Sequence, residues 1–182
     1  MKELPILFST DMVKALLAGR KTQTRRMKEY PVGSVLWVKE TFATFEGAVG
    51  SGYIYRADDT HTIPIELCTP DRWKSSRFMP RKAARIFLQV TDVRQERLQD
   101  ITEEDAIAEG SRGVGKLCTR ADACFCSVCS FYAYSKKNLC FRAYWSKLNA
   151  KRAGGIYAWE QNPLVYVHTF KNITEEYKSE SH

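Results

Sequence analysis

Arg85 to Leu98 reads RIFLQVTDVRQERL. Within it Ile86, Leu88, Val90 and Asp92 alternate with Phe87, Gln89, Thr91 and Val93. Successive side chains of a strand point to opposite faces, so this period predicts a strand with both faces partly apolar, the longest in the chain. Asp100 to Gly110 (DITEEDAIAEG) follows and predicts a helix. Thr102 offers an N-cap oxygen, and Asp105 three residues on makes a near capping box. The acids of the first turn suit the positive end of the helix dipole, and Gly110 ends the helix.

On the N-terminal side, Leu4–Phe8 is a short apolar run that reads as a strand. Ser9-Thr10-Asp11 offers capping chemistry, and Met12, Val13, Leu16 and Leu17 then share a helical face. Gly19 is placed to end that helix in a left-handed turn. Arg20 to Arg26 (RKTQTRR) is basic with no apolar face and reads as an exposed loop or edge segment. After the turn Pro31–Ser34, Val35–Phe42 (VLWVKETF) reads as a strand. Gly47–Gly52 is a glycine-rich loop with neither a dinucleotide-binding nor a P-loop pattern. Tyr53–Asp58 reads as the next strand, with Arg56 and Asp58 as an ion pair at its end, and residues 60–80 look irregular.

Beyond Gly110 lies a cysteine-rich, basic segment. Phe141, Tyr144, Trp145 and Leu148 then suit one helical face, Leu164–Phe170 reads as a final strand, and residues 171–182 read as a frayed, flexible tail. Strands outnumber helices and are separated by long irregular pieces. The fold class is therefore α+β, built on a small mixed or barrel-like sheet, with residues 1–170 as a single domain.

The chain has 182 residues, 44% hydrophobic and 27% charged, as in a soluble globular protein. No apolar run approaches the roughly 18 residues needed to span a bilayer. Met1-Lys2-Glu3-Leu4-Pro5 lacks the pattern of a secretory leader, so a cytoplasmic protein without a membrane partner is expected.

The formal net charge is +7, concentrated in blocks: +4 over residues 1–30, +5 over 70–97 and +8 over 111–152, with −5 over 100–109. Such blocks suit a polyanionic partner such as RNA, or simply solvated surface. They are expected to form one positive face around GRKTQTRR. Trp73, between Arg72 and Lys74, is the best candidate for stacking on a base, whereas Trp37 and Trp145 read as core. Glu40 follows Leu36-Trp37-Val38 and either points into a cleft or sits on the solvent face.

Five of the six cysteines, Cys118, Cys124, Cys126, Cys129 and Cys140, fall within 23 residues. Without a secretory signal a disulfide framework is the weaker explanation. Cys126-x-x-Cys129 matches a zinc knuckle, and a structural zinc would draw its other two ligands from Cys118, Cys124 and Cys140. Free thiols and redox chemistry are the alternatives. His61, His168 and His182 are scattered and suggest no triad.

The order of these pieces resembles the ASCH family, a branch of the PUA-like RNA-associated proteins, in the long form found in bacteriophages and prophages. The resembling pieces are the opening helix, GRKTQTRR, PVGSVLWVKETF, YRAD, MPRKAARIFLQVTDVRQERLQDI, TEEDAIAEG and the Trp145 helix before a terminal strand. Together they span most of residues 4–170, with 111–140 as a cysteine-rich insertion. The resemblance implies a PUA-like mixed β-barrel with flanking helices, and an RNA, nucleoside or nucleotide ligand in a cleft near GRKT. Arg20, Thr22, Arg25, Arg26, Glu40, Arg56 and Trp73 are the candidate ligand contacts.

One bacterial branch of the family hydrolyses N4-acetylcytidine with a lysine and a threonine of a GRKTxT segment and a glutamate of a TEExxAxxE helix. Matching positions here are Lys21, Thr24 and Glu109. A threonine hydroxyl is inert unless a neighbour takes its proton, and lysine does so only if its pKa falls from about 10.4 toward 7–8. The alternative reading of the residues is a phosphate-binding or solvated basic loop, with Glu109 exposed in the last helical turn.

Overall fold

The computed structural model describes residues 2–47, 50–58, 72–110 and 137–180. The long alternating stretch forms β6 (Phe87–Arg97), and the other strands are β1 (Glu3–Leu7), β2 (Gln23–Arg26), β3 (Val35–Lys39), β4 (Phe42–Gly47), β5 (Gly50–Tyr55) and β7 (Leu164–Asn172). The helices are α1 (Thr10–Leu17), α2 (Glu103–Ala108), α3 (Lys137–Asn149) and α4 (Thr174–Glu180). The class is α+β. Five strands form a mixed sheet in the order β1-β3-β6-β7-β2, and β4 pairs with β5 in a separate sheet. β1 runs parallel to β3, while β3–β6 and β2–β7 are antiparallel. No pairing among the described residues closes the strands into a barrel. None of the described helices is long and apolar enough to cross a membrane.

The chain divides into two compact units. The first comprises Met1–Lys14, Gly33–Gln89 and Lys171–His182. Apolar clusters among its described residues include one of Val35, Phe87 and Ile173 and one of Phe42, Met79 and Ala83. The second comprises Ala15–Val32 and Val90–Phe170. It is built around Leu98, Ile101, Ala106, Phe141, Trp145, Val165 and Val167. The indole of Trp145 donates to the Tyr157 carbonyl at 2.8 Å, so its polar atom is satisfied as the ring is buried.

Several local expectations hold. Thr102 caps α2, its hydroxyl accepting from the Asp105 N–H at 3.1 Å, and Gly19 and Gly110 adopt positive φ after α1 and α2. Others need correction. The expected tail is structured as far as Glu180, with β7 continuing to Asn172 and α4 following. Ile173 is buried, and the Tyr177 ring stacks on Phe87 at 4.4 Å. The expected strand Val35–Phe42 breaks at Glu40-Thr41, because Phe42 turns to pair with β5. The glycines expected in a loop are largely strand residues, Gly47 pairing with Gly50. Leu17 and Leu148 leave the core faces assigned to them and are exposed.

Candidate active site

RKTQTRR departs most from its expected exposure. Lys21, Gln23, Thr24 and Arg25 are buried, Thr24 completely. The edge reading holds among the described residues, where β2 is the last strand of its sheet. Burial is possible because carboxylates compensate the cations.

Local geometry places each group. Gly19 at φ +68° turns the chain after α1, and the N–H groups of Arg20 and Lys21 donate to the Ala15 carbonyl at 2.9 and 3.1 Å. Thr24 lies opposite His168 in the antiparallel pair with β7. In such a ladder alternate residues turn their backbone groups away from the partner strand, and Phe170 already donates to Thr22 from the β7 side. Gln23 and Arg25 therefore face the open edge. There Lys21 Nζ donates to the Gln23 carbonyl at 2.7 Å, and the Arg25 N–H donates to Glu109 Oε1 at 2.6 Å. Glu109 caps α2, its N–H donating to the Asp105 carbonyl.

Lys21 Nζ also donates to Glu109 Oε2 at 2.7 Å and to the Glu109 carbonyl at 2.9 Å. Its three N–H bonds are thus occupied. Lysine and glutamate are held on the backbone of the two residues that flank Thr24. The Thr24 hydroxyl itself is buried and has no hydrogen-bond partner among the described residues. Burial pulls the Lys21 ammonium down to about 8, against the Glu109 carboxylate, which holds it up.

A second layer locks this pair. Arg25 donates to Glu96, to Asp105 at 2.7 Å and to Glu109 at 3.4 Å. Arg94 joins Glu96 at 3.2 Å and Asp105 at 2.9 Å. Gln23 donates to Asp105 at 3.1 Å. The hydrogen bonds and charges from Gln23, Arg25 and Arg94 outweigh its partial burial and hold the Asp105 carboxyl below its ordinary range. Three cations (Lys21, Arg25, Arg94) meet three carboxylates (Glu96, Asp105, Glu109).

His168, unassigned by the sequence, steadies Thr24 from the other side. Its Nε2 accepts from the Tyr30 N–H at 2.9 Å, so Nδ1 carries the hydrogen and donates to the Thr24 carbonyl at 3.3 Å. Burial lowers its pKa and favours the neutral ring. Arg94, Glu96 and Asp105 were likewise missed. The sole sequence signal was an acid in the first turn of α2, which reads equally as dipole chemistry.

The remaining candidates lie elsewhere. Arg20 donates to the Gly110 carbonyl at 3.0 Å and Thr22 to the Ala108 carbonyl through its backbone at 2.8 Å, while Arg26 Nη1 reaches the Arg25 carbonyl at 3.3 Å. In the first unit Glu40 is buried, not on the solvent face. Arg85 grips it at 2.8 and 3.0 Å and reaches Asp58 at 2.7 Å. Burial raises the Glu40 pKa, with Arg85 opposing. The expected Arg56–Asp58 pair is replaced: Arg85 takes Asp58, and Arg56 lies over the Trp73 ring at 5.9 Å, leaving that ring half-buried. Cys118, Cys124, Cys126 and Cys129 lie outside the described residues, as does the Cys140 side chain; no metal-ligating cluster occurs among the described residues. Searches of protein-family models, of curated proteins and of solved structures find no match for this chain. Fold and function therefore rest on the residues themselves.

Proposed function

We propose that the chain is an ASCH-type, PUA-like protein that binds a modified nucleoside beside β2 and hydrolyses the amide of an N4-acylated cytidine with Lys21, Thr24 and Glu109. The observation that carries the reading is the Lys21–Glu109 pair, clamped to the residues on both sides of a buried hydroxyl that has no partner among the described residues. A buried, unpaired hydroxyl costs about 1–3 kcal/mol, a cost that a bound ligand or a reaction would offset. A purely phosphate-binding role for GRKTQTRR is disfavoured, because Lys21 and Arg25 spend their charges on internal carboxylates.

Lys21 Nζ makes no hydrogen bond to the Thr24 hydroxyl in this structure, so the proposed reaction requires it to swing from the Gln23 carbonyl onto that hydroxyl and, as the neutral amine, take the proton as Oγ attacks the acyl carbon. The C–N4 bond breaks, N4 leaves as the cytosine amine with a proton relayed by Glu109, and water hydrolyses the threonine ester to carboxylate. Burial lowers the Lys21 pKa to about 8, which makes the neutral amine more accessible near neutral pH than for an ordinary lysine. Structural zinc on the cysteines and the RNA-related ligand class belong to the same reading.

The test is incubation of the protein with N4-acetylcytidine, read by mass spectrometry. Cytidine and acetate are expected, with kcat rising toward pH 8. Thr24→Val should remain folded and lose turnover, and Thr24→Ser should retain part of it. No turnover of any N4-acylated cytidine by the unaltered protein would retire the reading.

A further inference from the structure

Lys21 and Glu109 supply one half of the hold on Thr24, taking the Gln23 carbonyl and the Arg25 N–H. That N–H belongs to the Thr24–Arg25 peptide. The carbonyl at the other end of the same peptide accepts from the His168 ring. Glu109 and His168 therefore grip one peptide group from opposite sides. His168 lies directly opposite Thr24 in the antiparallel ladder, so both side chains rise from one face of the sheet and the ring stands beside the threonine. The imidazole is fully buried, with the Tyr30 ring edge-on at 5.3 Å and the Tyr166 ring at 6.2 Å. Its Nε2 accepts the Tyr30 N–H at 2.9 Å, so one side chain ties Thr24 in β2 to Tyr30 in the loop that follows. Both ring nitrogens are committed to backbone groups. The ring has none left to take the Thr24 proton, and its part is positional.

Only the neutral imidazole makes both bonds. A proton added to Nε2 would set one N–H against another and leave the buried Tyr30 N–H without its acceptor. Relieving that clash means turning the ring, and turning it takes Nδ1 off a bond already 3.3 Å long. The titratable and charged groups around the ring are Arg26 of β2, Glu29 and Tyr30 of the loop, Glu109 at the end of α2 and Tyr166 of β7. Burial, seconded by Arg26, lowers the ring's pKa from its ordinary 6.5, against the Thr24 carbonyl and the two carboxylates.

We propose that His168 is the positioning residue of Thr24: its neutral ring holds the Thr24–Arg25 peptide in the geometry of attack, and protonation of the ring releases that hold. The catalytic part rests on the amide hydrolysis proposed above, while the hold on Thr24 is readable without it. Loss of one proton from Lys21 makes log kcat fall with a slope of about 1 as pH drops below about 8. A second proton, on His168, steepens that slope toward about 2 below the ring's own pKa.

Two measurements on the full chain test this. The first is NMR of the unaltered protein across roughly pH 5 to 8, following the His168 ring nitrogens and the Thr24 carbonyl carbon. The Nδ1–H tautomer is expected at pH 7, with the Thr24 carbonyl shift moving at the midpoint of the ring. An Nε2–H tautomer, or a Thr24 carbonyl that stays flat while the ring titrates, overturns the proposal whether or not the protein turns anything over. The second is kcat for N4-acetylcytidine over the same range, on variants shown to be folded by circular dichroism. His168→Asn offers an N–H near the Nδ1 position and does not titrate. It should keep part of kcat and hold the shallower slope to the acid end. His168→Gln keeps an acceptor for Tyr30 but not the donor to Thr24, and should lose at least tenfold in kcat with KM unchanged. A single shallow slope in the unaltered protein, or full kcat in folded His168→Gln, overturns the proposal. If the carbonyl and the ring titrate together but no N4-acylated cytidine is turned over, the hydrolase reading fails and the hold of His168 on Thr24 stands.

Discussion

At the scale of single residues, Thr24 is the sharpest point for experiment. Its hydroxyl is buried and bonded to none of the described residues. Removing an unpaired buried oxygen removes its desolvation cost, so Thr24→Val should leave stability unchanged or raise it by up to about 1 kcal/mol in urea unfolding. A loss beyond that size would show that the oxygen is satisfied in solution. Lys21 predicts a pH dependence. Its folded pKa of about 8 lies below the ordinary 10.5, so between those values the unfolded chain binds the extra proton. Stability contributed by this residue therefore rises with pH from about 8 to 10.5. Tyr55 acts oppositely above pH 10, because burial pushes its phenol up to about 12 and the unfolded chain ionises first. Lys21→Met combined with Glu109→Gln should flatten the rise above pH 8, measured by denaturant titration across that range. His168 is held neutral below its ordinary 6.5, so its contribution is present above that pH and is lost as pH falls through the lowered value.

At the scale of elements, local chemistry was legible and distant compensation was not. The α2 cap, the two positive-φ glycines and the alternation of β6 are written within a few residues of where they act. Thr102→Ala should accordingly cost about 1 kcal/mol by thermal unfolding. β2 shows the opposite case. RKTQTRR has no apolar period, and its burial depends on carboxylates 71, 80 and 84 positions from Arg25. Nothing in one sequence joins those positions, so the Lys21–Glu109 pairing was accessible only through the family resemblance. α4 was missed for a related reason. TEEYKSE is polar, and its docking rests on Ile173 and Tyr177 meeting Val35 and Phe87 far upstream. Ile173→Ala should cost about 2–4 kcal/mol, read from the shift in the urea midpoint.

At the scale of the molecule, the formal charge of +7 misdescribes what solvent and partners meet. Lys21 and Arg25 are withdrawn into a neutral network, while Lys74, Arg77 and Lys82 stand on the surface. Block counting treated these cations alike because it ignores burial. The α+β class followed from element types alone, but a division into two units did not, because the first unit takes its residues from three separated stretches of chain.

That interleaving has a consequence for synthesis. The ribosome delivers residues in order, and the first unit lacks its third stretch until Lys171 and its successors emerge. Between Gln89 and Lys171 lie about eighty residues, roughly 4–16 s of translation at 5–20 residues per second. Throughout that interval Val35 and Phe87 await Ile173 and Tyr177, so a nascent chain stalled after Phe170 should present a sticky patch to chaperones that the released protein hides.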